Sequence, residues 1–229
     1  MFEDLLKIKT WNAETNGRFL DALNDYFDED KCKYTAEIAG KLMERGDRAN
    51  RVSAETLLTY AAAHYTRDGE EAQAPVFFML GKFYEQNADY ATASEWYRKS
   101  AATGALGGTA QAALRAALLG SGLTYTDDLR DKLLASGGAI DLGLREDRIY
   151  EYIGWYLVYE HDGDDELRRK YAERIIGLVR TSEYVPDLLF QKDDIRDKFA
   201  APECVKEFAE RLAAEHKAEL AAQENEPKA

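Results

Sequence analysis

The chain has 229 residues, 45% hydrophobic and 32% charged, which excludes an intrinsically disordered chain and a miniprotein that needs disulfide or metal staples. Acids outnumber bases 43 to 30, for a formal charge of −13. Such a surface repels phosphate backbones and lacks the counterion-release term of nucleic-acid binding, so no nucleic-acid partner is expected; the charge suits a solvated protein or one that meets a basic partner.

The N-terminus carries Glu3 and Asp4 where a signal peptide would carry bases, and no apolar run follows. No stretch reaches the roughly 18 apolar residues of a membrane span. Cys32 and Cys204 lie far apart and share no motif, which fits reduced thiols. A cytoplasmic protein without a membrane segment is expected.

Gly-, Asn- and Asp-rich punctuation recurs at Gly46-Asp47, Asp68-Gly69, Asn87-Ala88-Asp89, Gly104 to Gly108, Gly120 to Gly122 and Gly137-Gly138. Between these turns apolar residues recur at spacings of three and four. The pattern predicts helices over 13–28, 31–45, 53–67, 75–86 and 89–103, then 109–119, 126–136, 145–160, 164–181 and 202–222. Short helices near 2–8 and 187–199 would bring the total to about 10–12. Ser53 is placed to cap the third long helix, and Pro75 and Pro202 suit first helical positions, where a missing N–H costs nothing. Thr126, ahead of Asp127 and Asp128, is placed to open the helix near 126. Acid-before-base pairs four apart (Asp165 with Arg169, Glu166 with Lys170, Asp194 with Lys198, Glu207 with Arg211) add a few tenths of a kcal/mol each. Ile149 to Tyr159 is crowded with aromatic and β-branched residues that favour strands. Ile149, Ile153 and Tyr156 nevertheless share one helical face, so helix is predicted there too. Residues 1–222 read as one helical domain, and the polar 223–229 as a disordered tail.

The most informative segment runs from Phe77 to Gly104. Phe77, Leu80 and Tyr84 lie on one face of a first helix, beside Gly81, whose missing side chain lets a neighbouring helix approach. Asp89 can cap a second helix with Tyr90, Ala93, Tyr97 and Ala101 on one face, and Ala93 is expected opposite Gly81. Trp96 flanks that face, and Gly104 ends the helix in a left-handed cap. Leu80-Gly81-x-x-Tyr84, then Ala93, then Trp96-Tyr97-x-Lys99-x-Ala101-Ala102-x-Gly104 resembles the Sel1-like branch of the tetratricopeptide repeat superfamily. The resemblance covers one repeat, within 75–104. Ala110 to Gly122, Ala36 to Gly46 and Leu57 to Gly69 match less well, and Ile153-Gly154 has no Tyr three residues later. It implies an all-α fold of stacked α-α hairpins, a solenoid, because one hairpin cannot bury its apolar face alone.

The resemblance also implies a concave partner-binding surface lined by the first helix of each hairpin, with Phe78, Lys82 and Glu85 facing it. The alternative for Phe78 is packing against an adjacent hairpin. A second candidate surface is the cluster Tyr150, Tyr152, Trp155, Tyr156 and Tyr159, too many aromatics for one core stripe; the alternative is a central helix packed on both sides. Tyr152, Trp155 and Tyr159 are its expected partner-binding members, since Tyr and Trp are enriched at binding hot spots. The acidic loop Glu160 to Glu166 lacks the spacing of a calcium-binding loop and reads as a solvated turn that caps the next helix. His64, His161 and His216 share no local motif with Cys, Asp or Ser, and no phosphate-binding or zinc-protease motif occurs. The expectation is a non-enzymatic protein-interaction module without metal or cofactor. The alternatives are an acidic immunity- or antitoxin-like inhibitor of a basic partner and, less favoured, an enzyme or metal protein.

Overall fold

A computed structural model describes residues 11–105, 109–136, 145–183 and 201–224, and no strand occurs among them. The chain forms two compact units, residues 1–116 and 117–229. The first contains α1 (Ala13–Leu23), α2 (Asp28–Arg45), α3 (Arg48–His64), α4 (Glu70–Gln86), α5 (Tyr90–Ala102) and the start of α6 (Thr109–Gly120). The second contains the end of α6, α7 (Leu129–Ser136), α8 (Arg145–Asp162), α9 (Asp165–Glu183) and α10 (Glu203–Glu224). The short helices expected near 2–8 and 187–199, and the pair Asp194 with Lys198, lie outside the described residues. So do 225–229 of the expected tail, whereas α10 continues through Gln223 to Glu224.

In the first unit α2 packs against α3 and α4, α3 against α4, and α4 against α5. Phe19, Leu42, Leu58, Val76 and Leu80 are buried in one cluster drawn from α1 to α4. Each is worth roughly 1.5–3 kcal/mol of burial, far more than the propensity of any one residue. The α3 helix starts at Arg48, not near Ser53, because Asp47 offers an earlier cap and accepts from the Asn50 N–H at 2.9 Å. Ser53 is internal, and its hydroxyl donates to the Ala49 carbonyl. The α4 helix starts at Glu70, so Pro75 lies inside it. The turn ahead of Pro75 is held by buried Ala72 and Ala74 and by the Gln73 amide, which donates to the Ala62 carbonyl at 2.9 Å. Asp89 caps α5 as expected, and Gly104 follows it with φ of 72°.

In the second unit α8 packs against α7 and α9, and α9 against α10. The aromatic-rich stretch is helical throughout. Burial on more than one side decides it: Ile149, Tyr150, Ile153, Tyr156, Leu157 and Val158 are all buried. The Tyr156 ring meets Phe208 of α10 edge-on at 5.6 Å. The α7 helix begins at Leu129, later than expected, because Thr126 to Leu129 first closes a turn. Pro202 precedes α10, and its carbonyl accepts from Val205 and Lys206. Asp165 reaches Arg168, and Arg211 reaches Glu215 rather than Glu207, exchanges that matter little for pairs this exposed.

Candidate functional site

The α4 helix is buried along two stripes. Ala72, Val76, Leu80 and Phe83 are spaced by four, four and three, and the last three belong to the cluster shared with α1 to α3. Ala74, Phe78, Gly81 and Glu85 form the second stripe, and α5 covers it. Ser100 donates its hydroxyl to the Ala74 carbonyl at 3.0 Å, and the Tyr97 ring lies against both Phe78 and Gly81. A Cβ placed on Gly81 would sit 2.6 Å from Tyr97 Cδ1, so the residue that needs the glycine is Tyr97, and Ala93 lies buried one turn earlier on α5.

Tyr97 is fully buried, and its hydroxyl donates to Glu85 Oε2. Arg115 of α6 is 1% exposed and donates to the same oxygen at 3.0 Å. Burial first, and the Glu85 charge second, push the Tyr97 hydroxyl well above its ordinary range, so it stays a donor. The Arg115 guanidinium also lies 5.6 Å from the Phe78 ring centroid. Glu85, expected on a partner-facing groove, is thus buried and engaged. A helical wheel of α4 alone cannot show that α6 brings a cation over this turn. Phe78 and Lys82, one turn apart, remain half-buried.

Beside the second stripe lies an open groove of about 540 Å³. Glu29 and Lys33 come from α2, Glu71, Pro75 and Phe78 from α4, Ser100 from α5, and Thr109 from the start of α6. Its backbone is set by two reciprocal bonds. Asp28 accepts from the Arg67 N–H, and Asp68 accepts from the Glu29 N–H, both at 2.9 Å. The Phe78 ring meets Tyr97 edge-on at 5.2 Å, so it enters the groove already oriented. A second hollow of about 520 Å³ lies between α3 and the end of α4. There the polar groups engage one another: Arg51 donates to Asn87 and Tyr84 to Glu55.

The five-aromatic cluster of α8 splits. Tyr150 and Tyr156 are core, and Tyr152, Trp155 and Tyr159 are half-buried. Trp155 stacks on Tyr159 at 5.7 Å, and Tyr159 on Tyr171 at 5.6 Å, with Arg174 5.1 Å from the Tyr171 centroid. The acidic loop behaves as the capping turn expected. Asp164 accepts from the Leu167 N–H at 3.0 Å, and His161 stacks on Tyr125. Asp162 pairs with Arg130, which holds its carboxyl below the usual carboxylate range. Among the described residues no group of three or more His, Cys, Asp or Glu side chains is placed to hold a metal. Cys32 is buried, donates to the Tyr65 carbonyl, and has its thiol pushed up to about 12 by burial and then by Asp28 and Asp68.

Reading the sequence missed Arg115 and the groove residues Glu29, Glu71 and Pro75. Arg115 did leave a signal. It stands three and four residues from Ala112, Gln111, Leu118 and Leu119, all buried, at the centre of an apolar stripe where a lone arginine requires a buried acid.

No family model, curated protein or solved structure matches the chain. The class the fold defines is an all-α protein of packed consecutive helices. Among its described residues no helix is long and apolar enough to cross a membrane.

Proposed function

We propose that the chain is a non-enzymatic protein-interaction module built of Sel1-like helical hairpins, with the groove beside α2 and α4 as its binding face. In this reading α2/α3 and α4/α5 are successive hairpins and α6 begins the next. Their first helices then supply most of the groove, with Ser100 of α5 and the connecting residues Asp68 and Ala105 completing it; the resemblance of residues 77–104 implies such a first-helix surface. One observation carries the reading: Phe78 is a half-buried aromatic, held by Tyr97 and Arg115, at the edge of an open groove of about 540 Å³. Rigid aromatic anchors ringed by polar groups concentrate binding energy, because they lose little conformational freedom on association. Lys82, one turn further along α4, extends the same face; Tyr152, Trp155 and Tyr159 of the second unit are a separate surface.

The test compares two tagged chains expressed in the native host. The unaltered chain should retain a partner protein in stoichiometric amount, and the Glu29→Lys/Glu71→Lys chain should lose it while keeping its helical content and a cooperative unfolding transition. A partner retained equally by both chains places binding elsewhere. Recovery of none, together with turnover of a small substrate, would refute the reading. An acidic inhibitor of the immunity or antitoxin kind is the second reading, favoured by the acids that line the groove. It differs in requiring that the captured partner be an enzyme or toxin whose activity the chain blocks, in a complex that weakens steeply with salt.

A further inference from the structure

We infer that the groove takes a peptide segment in which a lysine or arginine stands next to an apolar side chain. The inference rests on the proposal that the groove is the binding face. Its volume of about 540 Å³ is enough to enclose a few side chains of a partner. Its lining is apolar at Phe78, Pro75 and Ala105 and carries Glu29, Asp68 and Glu71 against Lys33.

The sign of the field decides the occupant. Three carboxylates and one ammonium leave the lining at about −2, and the N-terminal ends of α2 and α4 contribute roughly +0.5 each, which leaves about −1. Part of that dipole is already met, since Asp68 accepts from the Glu29 N–H. An acidic or phosphorylated segment would bring its charge within a Debye length of three carboxylates. A purely apolar segment would strip water from those carboxylates without pairing them, which costs free energy. A cation beside an apolar group satisfies both halves: the apolar chain covers the exposed edge of Phe78, and the cation reaches Glu71 or Glu29. The ring is already oriented, so its ordering cost does not fall on the complex.

The test pans a phage-displayed library of random dodecapeptides against the full chain at near-physiological salt. Binding of the most enriched peptide is then measured by fluorescence anisotropy. Enriched peptides should carry Lys or Arg within two residues of Leu, Ile, Met or Phe. Glu71→Lys and Glu29→Lys should each weaken binding about tenfold, and Lys33→Glu should tighten it. All three side chains are exposed, and retained helical content with a cooperative unfolding transition establishes that each variant is intact. Enrichment of acidic or uncharged peptides that these variants still affect overturns the inferred chemistry and keeps the groove as the binding face. Enrichment of peptides indifferent to all three variants, or no enrichment, overturns both.

Discussion

Two glycines, one in each unit, admit a neighbour closer than a Cβ allows. Gly81 faces the Tyr97 ring, and Gly154 faces the end of Leu133, where a Cβ would lie 2.8 Å from Cδ2. Each follows a branched apolar residue, Leu80 or Ile153, so the two sites look alike in sequence. They differ in what holds the neighbour. Tyr97 is gripped at its hydroxyl by Glu85, and Glu85 by Arg115, so the ring cannot retreat without breaking a buried ionic group. Leu133 is also buried, but it ends in an isobutyl group with no polar atom to anchor it. The same glycine device therefore gives a rigid joint where a polar anchor stands behind it, and a compliant one where only aliphatic carbon does.

Breaking that anchor should have the largest effect. Arg115→Met leaves Glu85 buried without its cation and should cost about 3–5 kcal/mol, read as a lower urea midpoint. Adding Glu85→Gln should recover most of the loss, because no buried charge then remains. Gly81→Ala comes next. Alanine favours helix by about 1 kcal/mol, but overpacking against a fixed ring typically costs 1–3 kcal/mol, and we expect net destabilisation of about 1–2 kcal/mol. Gly154→Ala should cost under about 1 kcal/mol, since Leu133 can turn aside. Equal losses at the two glycines would remove the distinction.

Alkaline pH gives the most distributed effect, spread over several buried groups. Burial is the first cause that pushes Cys32, Tyr65 and Tyr156 each up to about 12. The folded chain therefore holds protons that the unfolded chain releases near pH 9 for the thiol and near 10 for the phenols. Their contribution is complete below those values and declines as pH rises toward 12, so the urea midpoint should fall across that window. Cys32→Ala should flatten the lower part of the decline.

Much of the helical layout was legible because periodicity three and four survives in nearly every segment, even where Ile149 to Tyr159 invites a strand. Helix starts were less legible. Ser53 and Pro75 carry genuine local preferences, but Asp47 offered an earlier cap and the burial of Ala72 and Ala74 outweighed the proline. The site was half legible. Phe78 stood out because its neighbour Phe77 already occupied the expected core face, whereas Glu85 was assigned to the surface because its partner is thirty residues away on another helix. Glu29 and Glu71 had no signal at all, since an acid in a first helical turn is ordinary and only the fold brings the two to one groove.

The groove as binding face is tested most directly by site-specific photo-crosslinking in the native host. A benzophenone amino acid at position 33, in the groove lining, is compared with one at position 60, where Tyr60 is exposed on α3 and does not line the groove. One discrete protein adduct is expected from position 33 and none from position 60. Adducts from position 60 alone, or the same adduct from both, would contradict the groove as binding face.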